Sequence, residues 1–267
     1  MCVFDKWLQT EPVQLPAGPL QYEALVDSGQ VGEAELLEQL GREVARNYIT
    51  PGELALVFDD LGAPEVARYV RTNMFPAETR TRHGDFGEIV TGALYRRVRR
   101  WCVPILKLRW KQTVNQAVQG TDLLAFRLRQ NPPVVAVPEV ETRATRKLDL
   151  GQEAHDSLEK ILDNDRLDES IRFVTVRCFE RGQGFLARRI AEVLRQPEHR
   201  SVERHMLFVH DHAAWKEEVV TRLAGIVKQP TELTVVKIRD LQDFVARVYE
   251  AAEAQGAPKD HTRDTAA

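Results

Sequence analysis

Residues 120–142 read "GTDLLAFRLRQNPPVVAVPEVET". Asp122 opens the first of two short apolar runs, and Glu139 and Glu141 sit two apart at the close of the second. Strands usually keep carboxylates off their buried stretches, because an unpaired buried charge is costly. The runs read as strands, "TDLLAFRL" and "VVAVPEV". Residues two apart on a strand point the same way, so Glu139 and Glu141 share a face. If the two strands are neighbours, Asp122 lies near that pair. Converging carboxylates repel one another unless a cation neutralises them. Oxygen donors with room left for water suit Mg²⁺ or Mn²⁺, and a metal so held polarises a phosphodiester and activates an attacking water. The plain alternative is a turn at "GTD" and an exposed strand end at "EVET"; spacing alone leaves both open.

Upstream, residues 84–101 suit a helix, with Asp85 and Glu88 towards its N-terminal end, where acids are favoured, and Pro104 ends it. "ILKLRWK" alternates strictly, Ile105, Lys107, Arg109 and Lys111 on one face and Leu106, Leu108 and Trp110 on the other, which predicts a strand. Downstream, "LDLGQEAHDSLEKILDN" predicts an amphipathic helix and the β-branched "IRFVTVRCF" a strand. The expected order over residues 84–178 is helix, three strands, helix, strand. Beyond it, "GFLARRIAEVLRQ", "HAAWKEEVVTRLAGIV" and "DLQDFVARVYEAAEA" read as helices, with "HMLFVHD" and "ELTVVKI" as strands between them. Such alternation predicts an α/β fold.

The first 30 residues are rich in Pro and Gly and read as irregular coil. "GEAELLEQLGREVARNYIT" is a helix stopped by Pro51, and "PGELALVFDDLG" and "APEVARYVRTNMF" read as two further short helices. The expected layout is a helical N-terminal segment over 1–78, a core over 79–180, an α/β C-terminal extension over 181–255 that is left free to bind a partner, and a disordered tail over 256–267.

At 267 residues the chain can bury a sizeable core, with about 70–75% of the unfolded surface removed from water at this size. A 43% hydrophobic and 29% charged composition is ordinary for a globular protein, and a net charge of −3 gives no global field for nucleic acid. Any such partner must be held by a local patch. Cys2, Cys102 and Cys178 lie far apart, against a disulfide framework or a cysteine zinc site. No window reaches the roughly 18 apolar residues of a membrane span, and the N-terminus lacks a signal-peptide pattern, so a cytoplasmic protein is expected. No GxxxxGK[ST] loop occurs, so no nucleotide is expected on this chain.

Residues 96–111 hold Arg96, Arg97, Arg99, Arg100, Lys107, Arg109 and Lys111 with no acid among them. Beside an acidic strand pair they are what a phosphate-backbone enzyme needs, cations for the polymer and carboxylates for the metal. A solvated helix face is the competing reading, and Trp101 and Trp110 read as packing. In "HDH", residues 210–212, Asp211 reads as a helix cap before the histidines read as metal ligands. His83 reads as an exposed loop residue.

The order helix, strand, strand, strand, helix, strand resembles the PD-(D/E)xK nuclease superfamily. The wording "HGDFGE…LKLRWK…VQGTDLLAF…EVET" is similar to its HamA branch, the nuclease subunit of Hachiman anti-phage systems, which works beside a superfamily 2 helicase, HamB. The resemblance implies a central mixed sheet flanked by helices and a Mg²⁺-dependent (or Mn²⁺-dependent) endodeoxyribonuclease gated by that helicase. It makes Glu88 the helix acid, Asp122 the second-strand acid and Glu139 the first residue of the third motif. The family pattern then calls for a lysine, and this chain has Glu141. The departure leaves open an ExE nuclease with Glu141 as ligand or base, a lysine supplied from Lys107, Lys111 or Lys147 (Lys111 foremost), or a silent chain that binds DNA as a scaffold. RNA as substrate is likewise not separated from DNA.

Overall fold

The computed structural model describes residues 3–48, 60–66, 73–111, 115 and 121–256. Pro51, most of the two short helices expected over 51–75, Gly120 and the tail from 257 lie outside them. The strands are β1 (Leu8–Glu11), β2 (Leu20–Asp27), β3 (Ala125–Arg127), β4 (Val134–Arg143), β5 (Ser201–Asp211) and β6 (Thr231–Ile238). The helices are α1 (Val3–Trp7), α2 (Glu33–Asn47), α3 (Thr79–Ala93), α4 (Leu150–Leu162), α5 (Asn164–Glu180), α6 (Gly184–Arg195), α7 (Glu218–Ala224) and α8 (Leu241–Gly256). The six strands form one mixed sheet in the order β1-β2-β6-β5-β4-β3. Its four inner strands are parallel, and β1 and β3 close the edges antiparallel. This is the expected α/β architecture of a central mixed sheet flanked by helices.

Period-2 alternation sends each inner strand's side chains to two cores. Leu207, Val209, Val236 and Ile238 pack with α2, α3 and α8. Met206, Phe208, Leu233 and Val235 pack with α4 to α7. Strands covered on both faces read as near-continuous apolar runs, which is why "HMLFVHD" and "ELTVVKI" are legible in the sequence. A fully buried side chain such as Phe208 contributes about 1.5–3 kcal/mol.

The structure departs from expectation in several places. The first 30 residues are not coil: they supply α1, β1 and β2, and β2 pairs with β6, Leu20 facing Thr231, a partner too remote in sequence to show locally. "ILKLRWK" is no strand. Ile105, Leu106, Lys107 and Leu108 are all buried, so no face is left for solvent, and Lys107–Trp110 coils into a 3₁₀ turn. "IRFVTVRCF" is the second half of α5. The buried Leu167, Ile171, Val174 and Cys178 fall at helical spacing, and that packing overrides the β preference of the branched residues. The helix expected over 212–227 shrinks to α7. Asp211, expected to cap that helix, instead closes a turn: one carboxylate oxygen accepts the Ala213 and Ala214 N–H groups at 3.0 and 3.1 Å, and the other accepts Leu241 N–H at the start of α8 at 3.0 Å. In the sheet order, β5 and β6 lie between β2 and β4, so the N-terminal segment, the core and the C-terminal extension all contribute to one sheet. Among the described residues no helix is long and apolar enough to cross a membrane.

His205 on β5 is 3% exposed. Burial, then Arg99 and Arg127, push its pKa down to about 3. The ring is therefore neutral, although Glu203 and Glu232 lie 3.1 and 3.4 Å from Nε2: Nε2–H donates to Glu203 while Nδ1 accepts the Tyr95 hydroxyl. A folded pKa below the unfolded value near 6.5 contributes stability that is complete above pH 6.5 and lost as pH falls, because the unfolded chain takes up the proton first. Relative to His205→Phe, the parent is expected to lose about 2 kcal/mol between pH 6.5 and 5 in urea titrations. Parallel pH profiles for the two proteins contradict a neutral, buried ring.

Candidate active site

β3 ends where Ala125 faces Ala136, so β4 runs on from Val137 with an open edge. Pro138 belongs there, since its missing N–H faces that edge and costs no ladder bond. The next N–H on the same side, that of Val140, donates to Asp122 Oδ2 at 3.2 Å. Asp122 thus sits at the rim of the sheet, in a bend ahead of β3, and not within a strand.

Helix α3 covers one face of β4. Phe86, Ile89, Val90 and Ala93 recur at helical spacing and are buried against the sheet. Its glycines give the helix poor intrinsic propensity, so packing sustains it. Gly87 is required by the approach of α3 to β4, since a Cβ there would lie 2.0 Å from Thr142 Oγ1 and 3.2 Å from Val140 Cγ1. The close approach delivers Glu88 to the rim of β4. Gly87→Val is expected to cost about 1–3 kcal/mol through forced separation of α3 and β4, read as a lower urea midpoint; an unchanged midpoint contradicts the close packing.

Glu139 and Glu141 share a face, as expected, but it is the face opposite α3. Val135 and Val137, in the same alternation, pack in the core under α4 and α5, and Glu139 takes a hydrogen bond from Ser157 of α4. Two groups at the open edge join the faces. Lys107, 8% exposed, places its ammonium 3.9 Å from Asp122 Oδ1. Burial raises the Asp122 pKa, against the pull of Lys107 and the Val140 N–H. Burial and then Asp122 raise Glu88 well above the carboxylate range. The same two causes push Glu139 up to about 7, and burial raises Glu141. Glu88 Oε2 is buried with no hydrogen-bond partner. The four expected acids are therefore tied through Asp122 and Lys107, yet among the described residues no three His, Cys, Asp or Glu groups close on one point as metal ligands do. In donor chemistry the set suits a hard divalent cation: carboxylate oxygens, one of them orphaned, that lack a full complement of counter-charge.

The cation foremost from sequence, Lys111, is paired with Asp85, although its charge still acts on Glu88. Its Nζ lies 2.6 Å from Asp85 Oδ1 in a buried pair to which Tyr48 also donates. Lys147 pairs with Glu153. Lys107 is the ammonium among the acids. The seven-cation segment is largely committed to internal contacts. Arg96 and Arg97 both reach the buried Glu43 at 3.2 Å. Arg99 bridges Glu23 and Glu232 at 2.9 and 3.0 Å, and Arg109 donates to Arg46 O at 2.8 Å. Only Arg100, 74% exposed and 3.9 Å from Asp5, is a largely solvated cation within that segment. Most of the Arg96 to Lys111 segment, expected to hold the phosphate backbone, ties α2, β2, β6 and the α3 region to one another.

On the Glu139 face the site opens into a cavity of about 660 Å³ between β4, α4 and α5. Lys107, Asp122 and Glu139 line its buried end; Lys160 and Arg166, absent from the sequence expectations, line its exposed end. Ser157 and Lys160 stand three apart on α4, a spacing that placed them on one helix face but gave no hint of what that face met.

Residues 1–252 match the protein family described as HamA. A curated relative, the "Hachiman protein HamA" of Bacillus cereus, is 22% identical over 184 residues, covering 67% of this chain and 65% of that protein. The matched part is therefore less than two thirds of the relative's length. With the family match reaching into α8, past every element that positions the site, the chain belongs to the HamA family.

Proposed function

We propose that this chain is the nuclease subunit of a Hachiman-type anti-phage defence complex, hydrolysing DNA phosphodiesters at the β4 edge and gated by a HamB-type helicase. The family match supports the defence role. The observation that carries the chemistry is the grouping of Glu88, Glu139 and Glu141 around Asp122, with the Lys107 ammonium among them and the carboxyls held above their ordinary range. Buried, strained carboxylates beside a cavity mark a site kept for function. Glu88, Asp122 and Glu139 are the residues that would hold Mg²⁺ or Mn²⁺, with Glu141 as further ligand or base. Such an ion, when bound, offsets the carboxylate repulsion and lowers the pKa of its water. Lys107 takes the charge-stabilising role that the superfamily pattern gives to the position of Glu141: it holds positive charge where the phosphate would sit. ATP-driven gating falls to the partner, since no GxxxxGK[ST] pattern occurs in this sequence.

A second reading has its own support. Glu141, the absence of three converging ligands among the described residues and the internal commitment of the basic segment all suit a silent nuclease fold that serves the helicase as a scaffold. Plasmid cleavage with Mg²⁺, partner and ATP separates the two. The parent is expected to cut, and Asp122→Ala and Glu139→Ala to fall on the order of 10³-fold, about 4 kcal/mol of barrier. Cutting by Glu141→Lys alone establishes a silenced third motif. Equal cutting of plasmid DNA and structured RNA removes the DNA assignment.

A further inference from the structure

We propose that the cavity beside Asp122 and Glu139 takes one unpaired nucleotide of a single-stranded polynucleotide, with Lys160 and Arg166 holding its backbone phosphate. The inference deepens the nuclease reading for what happens at the inner end, while the binding claim stands without it. At about 660 Å³ the cavity lies within the range of small-ligand sites, roughly 300–1,000 Å³. A duplex cannot enter a recess of that size. Glu139 is recessed at its inner end, 8% exposed, so a phosphate that enters the cavity reaches that carboxylate only if its nucleotide leaves a base stack.

The walls suit such an occupant. Phe173 of α5 lines the cavity, half-buried, with Trp110 at 6.3 Å and the Arg177 guanidinium over its ring at 5.0 Å; Arg177 does not line the cavity, and the side of the ring that does is the aromatic surface for a base. Ile105, Leu123 and Val174 extend the apolar wall. At the mouth, Lys160 and Arg166 are exposed, and neither side chain has a hydrogen bond or ion pair among the described residues. Every cation of the 96–111 segment, by contrast, has a partner in the protein. Among the described residues Glu169 is the one acid at the mouth, so the two free cations leave that end net positive while the buried end holds the carboxylates. Phosphate at the rim, base against Phe173 and the next phosphodiester towards Asp122 is the polarity this distribution sets.

Fluorescence anisotropy on the full chain in EDTA, where no cleavage occurs, tests it. Labelled oligodeoxyuridylate, oligouridylate and a blunt duplex of equal length serve as probes. Either single strand is expected to bind at least about tenfold tighter than the duplex, and the ratio of the two single strands assigns the sugar. Lys160→Glu/Arg166→Glu is expected to weaken single-strand binding at least about tenfold and to flatten its salt slope by about 0.7, the share of the one phosphate held at the rim. Arg188→Glu/Arg195→Glu, two exposed sites on α6 outside the cavity lining, serves as the equal-charge control and is expected to stay within twofold. A duplex bound as tightly as the single strands, or a double variant within twofold of the parent, overturns the proposal. If plasmids are not cut while this binding pattern holds, the nuclease reading falls and the pocket stands. If plasmids are cut while the double variant binds as the parent does, the pocket alone falls.

Discussion

Replacing Lys111 with methionine is expected to destabilise the fold by about 3–5 kcal/mol, because it leaves the Asp85 carboxylate buried without its cation. The two side chains are 5% and 6% exposed, and Nζ sits 2.6 Å from Oδ1. Burial already raises the Asp85 pKa despite Lys111 and Tyr48, so no surplus stabilisation cushions the loss. The Tyr48 hydroxyl donates to Asp85 and lies 3.0 Å from that of Tyr249. This cluster therefore binds the end of α2, α3, the 3₁₀ turn and α8 together. Asp85→Leu/Lys111→Met removes both charges and is expected to recover most of the loss, as buried pairs replaced by apolar residues often do. Urea titrations of the parent, both single variants and the double variant read the coupling directly. A neutral Lys111→Met sinks the structural assignment and returns Lys111 to the candidate catalytic cations.

Glu88→Met is expected to do two opposite things. Cleavage falls on the order of 10³-fold, since a carboxylate serving the reacting centre is gone. Stability in cation-free buffer rises, by about 1–3 kcal/mol, because Glu88 Oε2 is buried with no partner and an unsatisfied buried polar group costs that much. Asp122, which raises the Glu88 pKa, is relieved at the same time. A residue kept for packing loses stability when removed; one kept for chemistry gives it back. Lower stability in Glu88→Met places the residue with the scaffold.

How much of this is legible in sequence varies with how far each residue's partner lies along the chain. β4, β5, β6 and the helices α2, α4, α6 and α8 carry their own patterns and stand where they are expected. β2 escapes a local reading because its pairing partner, β6, lies at the far end of the chain. "IRFVTVRCF" misleads because residue type and spacing disagree, and spacing, set by the core it meets, wins. At the site, alternation correctly places Glu139 beside Glu141 but cannot show that α3 covers the other face of β4. The alternation of "ILKLRWK" assigns Lys107 and Lys111 to one strand face, and the structure turns that strand into a 3₁₀ coil. The coil sends Lys107 to Asp122 and Lys111 to Asp85. The arginines look available in sequence only because Glu43, Glu23 and Glu232, which hold them, lie on distant elements.

A cation site at the edge of β4 is tested by Mn²⁺ binding to the purified chain, followed by the loss of the free-ion paramagnetic resonance signal, in the parent and in Asp122→Asn. Saturable binding is expected in the parent, weakened at least about tenfold in Asp122→Asn, because Asp122 is the group through which Glu88 and Glu139 are linked. Equal binding by the two proteins, or none by the parent, rules that site out.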